Sequence, residues 1–139
     1  MGVYVLLSVR KGDRAARTSA LVNSGYEAEE PEVHIPLALA RRLSFSLEAL
    51  KGERYRVVGA DTVAYVLGQV EVKMELEDRE TPWVTARAVS VPGEYEVLIS
   101  DALAEALGIE IIAPRSGLWR LSGDPTLRRS VAPEYWPSA

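Results

Sequence analysis

The stretch Ala20-Leu21-Val22-Asn23-Ser24-Gly25 runs an apolar strand straight into a polar turn with a glycine. A strand end of this kind can present a reactive group at the lip of a sheet. A carboxylate as the first polar residue could take a proton from water. Asn23 has nearly that shape but accepts no proton at neutral pH. The triplet also makes a turn for local reasons: Asn and Gly tolerate the left-handed region, and Ser bonds to nearby backbone.

Other residues with chemical potential read more plainly. Glu27, Glu29, Glu30 and Glu32 precede His34. Carboxylates suit hard cations, yet such a run reads as a solvated acidic loop. His34 alternates with Val33 and Ile35, which places it on the outer side of a strand. It has no Ser or Cys motif beside it, so no triad is expected. Asp61-Thr62 is followed by Val63 where a tight turn needs glycine, so Asp61 reads as a hairpin-tip residue. Asp101 reads as a helix-start charge, Asp13 as a turn residue, and Asp124 as a tail residue before Pro125. None is a replacement base. The Leu127–Ser130 run, LRRS, reads as a small surface patch.

Composition narrows the classes. The 139 residues are enough for one compact domain with its own core. Cysteine is absent, which excludes disulfides, thiolate catalysis and cysteine metal sites. A single histidine excludes a multi-histidine site within one chain. No metal and no cofactor is expected. A net charge of −4 does not favour nucleic acid, whose phosphates select basic faces. No apolar run is long enough to span a bilayer. The opening MGVYVLLSVRKGD lacks a basic region ahead of its apolar stretch and reads as a first strand rather than a signal peptide. A cytoplasmic protein is the expectation. Arginine outnumbers lysine, glutamate outnumbers aspartate, and Asn and Gln occur once each, a pattern that fits a heat-adapted source.

The elements that must position these residues are mostly strands. Val70-Glu71-Val72-Lys73-Met74-Glu75-Leu76-Glu77 alternates apolar with charged residues, so one face is buried and the other wet. Further strands are expected at 4–9, 18–23, 54–58, 62–67, 83–91 and 96–99. Turns are expected at Lys11-Gly12-Asp13, Gly59-Ala60-Asp61, Gly68 and Pro92-Gly93. Strands this closely spaced suggest a barrel or sandwich. Two short helices interrupt them. In IPLALARRL, Pro36 suits a first helical position, and Leu39 and Leu43 lie one turn apart. In SDALAEALG, Ser100 can cap, Asp101 favours the positive helix start, Leu103 and Leu107 share a face, and Gly108 ends the helix. A strand, turn and short-helix unit thus occurs twice, about 75 residues apart. Residues 1–113 read as one domain and 114–139 as an extension. That extension carries four prolines, Trp119 and Trp136, with one strand expected at Leu118–Leu121. Trp119, Tyr135 and Trp136 are costly to expose, so part of it should pack on the body or on a partner.

Taken in order, ALVNSG, IPLALARRL and VLISDALAEALGI resemble the retroviral-type (retropepsin-like) aspartic proteases over roughly residues 3 to 112. The family has apolar-apolar-Asp-Thr/Ser-Gly where this chain has ALVNSG. RVVGADTVAYVLGQVEV fits its flap hairpin, and SGYEAEEPEV looks more like archaeal members than viral ones. The resemblance implies an all-β, closed barrel with a flap and one or two short helices. It also implies a homodimer that holds an extended peptide, and an internal pseudo-twofold. Two carboxylates would meet at the dimer axis and share one proton, because like charges about 3 Å apart cannot both ionise. One activates water and the other donates to the peptide carbonyl. Asn23 takes the catalytic aspartate's place, Ser24 that of the hydroxyl residue and Gly25 that of the glycine. Val58, Gly59, Ala60 and Asp61 would touch substrate from the flap. Tyr26 departs from the alanine usual in viral members, and Ser100 from a common glycine.

A dimer of this chain would carry two amides and no acid–base dyad, and general acid–base catalysis alone contributes roughly 10²–10⁴-fold. Fold, dimer and peptide binding could survive while turnover fails. The amide is compatible with a substitution made to stop turnover, with a natural pseudo-enzyme, or with pairing to an aspartate-bearing relative. Three classes therefore stand: an aspartic endopeptidase scaffold inactive through Asn23, a non-catalytic peptide-binding module, and an all-β structural domain with no cleft chemistry.

Overall fold

The computed structural model describes residues 2–22, 25–46, 51–57 and 60–137; residues 51–57 and 60–63 are described by their backbone course. Among the described residues, ten strands and two short helices follow one another. They are β1 (Val3–Lys11), β2 (Arg14–Val22), β3 (Glu32–His34), α1 (Leu37–Arg42), β4 (Lys51–Val57), β5 (Ala60–Met74), β6 (Val84–Ser90), β7 (Leu98–Ile99), α2 (Asp101–Ala106), β8 (Ile109–Ala113), β9 (Leu118–Leu121) and β10 (Arg128–Arg129).

Six strands close on themselves. The order β1-β2-β7-β3-β6-β5 returns to β1 through antiparallel pairing of Leu7–Arg10 with Glu71–Met74. Closure leaves these strands few free edges. Period-two patterning makes the inside. Val3, Val5, Leu7 and Val9 of β1 are fully buried and alternate with half-exposed neighbours, and Val70, Val72 and Met74 of β5 do the same. Leu39 and Leu43 from α1 and Leu103 from α2 complete the core. The fold is therefore mostly β, a closed six-stranded barrel with two short helices.

Local chemistry explains the joints. Gly12, at φ +59, turns β1 into β2 with Lys11 opposite Arg14, as a two-residue hairpin loop requires. Helix α1 ends with the Phe45 N–H donating to the Ala40 carbonyl and the Ser44 N–H to the Arg41 carbonyl. This paired bonding puts Ser44, not a glycine, in the left-handed region at φ +66. Helix α2 starts as its sequence predicts, with Ser100 Oγ accepting from Leu103 N–H at 3.1 Å, and Gly108 follows its last turn at φ +79.

Gly68 is not a turn. It lies inside the 15-residue β5 at a bulge, φ +129, where the ladder to β6 shifts register between Val66 and Gly68. One strand stands where the sequence predicts two, because the extra residue is absorbed by bending rather than reversal. The sequence reading also passes over β8 and β10.

The segment after Pro114 is built onto the rest. β9 pairs with β8, and β10 with β9. Residues 130–137 then run as a strap over the barrel. The Tyr4 N–H donates to Ser130 Oγ (2.9 Å) and the Val131 N–H to the Tyr4 carbonyl (2.9 Å), on the part of β1 beyond its pairing with β5. The Glu134 N–H donates to Ser19 Oγ (2.7 Å), and Trp136 packs on the core edge. Trp119 is buried as expected, but Tyr135 is 60 % exposed.

Candidate functional site

The end of β2 and the end of β7 lie side by side. They pair in parallel, Leu21 with Leu98 and Val22 with Ile99, and the Leu21 N–H donates to the Val97 carbonyl at 2.8 Å. From this shared lip one strand leads on toward Asn23 and the other into α2. Asn23 and Ser24 lie outside the described residues; Gly25 is exposed just beyond them. The loop that follows is stitched to the start of α2: the Asp101 N–H donates to the Tyr26 carbonyl (2.9 Å) and Asp101 Oδ1 accepts from the Ala28 N–H (3.0 Å). Asp101 is thus both the helix-start charge its position predicts and a tie to the other turn.

Ser100 holds this junction more firmly than a cap alone. It is fully buried, and its Oγ also accepts from the Glu32 N–H at 3.0 Å while its own N–H donates to the Glu32 carbonyl at 3.1 Å. Local sequence shows the cap but not the bond to β3. Glu32 departs from the solvated loop expected for it. It is 6 % exposed, with the Tyr26 phenol donating to Oε2 at 2.6 Å and Arg87 Nε 3.9 Å from Oε1. Glu27, Glu29 and Glu30 remain exposed as expected.

His34 is the second correction. It is 2 % exposed rather than outward-facing. β3 is paired along both edges, with β6 and β7, and the Val91–Glu96 segment lies on the His34 side, the Glu96 carbonyl 2.9 Å from Nδ1, so alternation does not mark a wet side. Burial pushes the imidazole below its ordinary value.

The β4–β5 hairpin pairs from Lys51 opposite Val66 to Val57 opposite Ala60. Asp61 stands opposite Arg56 within this ladder, so it is a strand residue and not the tip. Val58 and Gly59 lie outside the described residues, and Ala60 closes the ladder.

Two remaining acidic and basic readings also change. Asp124 is buried, its Oδ1 accepting from the Thr126 N–H, and Arg128 of the LRRS run is 13 % exposed at its side chain and ion-paired rather than a surface patch.

A cavity of about 540 Å³ opens where β2 ends, lined by Val22, Val3, Ala104, Ile109 and Ile111 with Asp101 among its polar members. It is mainly apolar and reaches Val22, the last residue of β2. β8 forms part of this lining. Among the described residues it pairs with β9 alone, and it exposes Ile111 and Ile112. Among the described residues, no three His, Asp or Glu side chains converge to hold a metal ion, and no helix is long and apolar enough to cross a membrane. No family model matches the chain, and no curated protein matches it.

Proposed function

We propose that this chain is a retropepsin-like aspartic endopeptidase homologue, cytoplasmic and homodimeric, that seats an extended peptide and does not cut it because Asn23 stands in the place of the catalytic aspartate. The observation that carries the reading is the parallel pairing of β2 with β7. It sets the strand that enters Asn23 beside the strand that enters α2, the arrangement a duplicated strand-turn-helix unit would have. The closed barrel and the long β4–β5 hairpin agree with it. The homodimer draws support from β8, whose free edge and exposed isoleucines adjoin the cavity at the end of β2.

Asn23→Asp tests the reading. The variant should hydrolyse members of a peptide library at acidic pH, and a statine-type transition-state mimic should inhibit it. A dimer that binds peptides but gains no turnover would instead favour the second reading, a peptide-binding module, which the amide itself supports. A monomer without peptide affinity would end both.

A further inference from the structure

The Val91–Glu96 segment joins three parts of the molecule. Pro92 and Gly93 form its corner: the Glu94 N–H donates to the Val91 carbonyl at a long 3.2 Å, and Gly93 has φ +87, as a type II turn needs. On its outer side the strap is fastened. The Trp136 N–H donates to the Tyr95 carbonyl at 2.7 Å, and its indole N–H donates to Thr18 Oγ1 at 2.9 Å. Trp136, Leu37, Ala38 and Pro92 line one small cavity there.

On its inner side lies His34. Its Nδ1 is 2.9 Å from the Glu96 carbonyl. A carbonyl only accepts, so Nδ1 carries the proton and Nε2 is bare. Nε2 is buried and has no hydrogen-bond partner among the described residues. Its ladder partners, Val89 and Leu98, bring no charge. The titratable group that acts on it among the described residues is the Glu94 carboxylate of the turn; Glu96 meets the ring through its backbone carbonyl, its carboxylate accepting from the Tyr4 phenol of β1 at 2.7 Å. Burial opposes the protonated ring most strongly; the Glu96 carbonyl, the Glu94 carboxylate and the Val91 carbonyl favour it. The same carbonyl that closes the turn is therefore the acceptor an imidazolium would draw on.

We propose that His34, the Val91–Glu96 turn and the strap form an acid-sensitive latch. A proton taken from solvent onto Nε2 draws the Val91 carbonyl away from the Glu94 N–H, the turn reshapes, and Tyr95 lets go of Trp136. At neutral pH the ring is uncharged and the latch is closed. Acidification opens it and loosens the end of the strap at Trp136. This device stands whether or not the chain is a protease homologue, because none of its members belongs to the Asn23 turn or the hairpin.

NMR on the full chain tests it, since the single histidine gives one imidazole signature. As pH falls from about 7.5 through and below the ordinary imidazole range, the direction in which burial pushes His34, the Trp136 indole signal should move to that of an exposed tryptophan with the midpoint of His34. The Trp119 indole should stay in place. In His34→Gln, Trp136 should not move. In full-length Trp136→Ala, linkage requires the reciprocal effect, so His34 should bind its proton at least about threefold more tightly. A Trp136 signal indifferent to His34 titration overturns the latch, as does an unchanged His34 midpoint in Trp136→Ala. The second variant decides the matter if His34→Gln does not fold.

Discussion

Arg128 grips Asp78 with both arms of its guanidinium, at 2.8 and 2.9 Å, across fifty residues of chain. The same side chain reaches Asp124 at 3.1 Å, and its guanidinium lies over the Trp119 ring. This contact ties the small β8-β9-β10 sheet to the loop after β5.

Arg128→Ala should therefore lower the thermal midpoint by roughly 5 °C or more, because it strips the buried Asp124 of a charged partner. The Arg128 hydrogen bond holds the Asp78 carboxyl down at about 2. Its folded value lies below its unfolded one, so its contribution is complete above the ordinary carboxylate range. That contribution is lost as pH falls toward 2. Thermal melts of wild type and Arg128→Ala from pH 7 to 2 should converge at the acid end. Parallel curves would show that the pair contributes nothing.

Ser44→Gly should stabilise the protein by about 0.5–1 kcal/mol. A residue with a Cβ is strained at φ +66, and glycine is not, although it adds freedom to the unfolded chain. Chemical denaturation should move the midpoint upward without changing the slope.

Ser100→Ala removes one oxygen and leaves two buried N–H groups, those of Leu103 and Glu32, without an acceptor. A loss of about 2–3 kcal/mol is expected, more than an exposed cap would give. Hydrogen exchange should speed up at both amides; a change at Leu103 alone would mean that the bond to Glu32 is dispensable.

Ile112→Lys places a charge on the free edge of β8, where the side chain is 43 % exposed. For the proposed dimer, sedimentation should show a shift to monomer, and the melting temperature should lose its dependence on protein concentration. A dimer that persists would place the contact elsewhere.

Elements whose cause is local were legible in the sequence. Ser100, Leu103, Leu107 and Gly108 mark α2, and the alternation at Val70–Met74 marks the inner face of β5. What escaped depends on distant partners. Gly68 punctuates a strand in either of two ways, and only the ladder to β6 turns it into a bulge. Val33-His34-Ile35 looks half wet until the 91–96 turn covers its far side. Arg128 looks like surface until Asp78 arrives. At the candidate site, the two strand ends were legible as strands, but their parallel pairing was not. The bonds of Ser100 to β3 could not be inferred from spacing.

The strap sets a clock on synthesis. Tyr4 and its partner Ser130 are 126 residues apart. At the usual pace of translation, about 5–20 residues per second, the upper edge of β1 waits roughly 6 to 25 s for its cover to be made. Through that interval the nascent barrel offers a bare strand to whatever is near, so crowding on a polysome should penalise this chain more than one whose first strand finds its neighbours early.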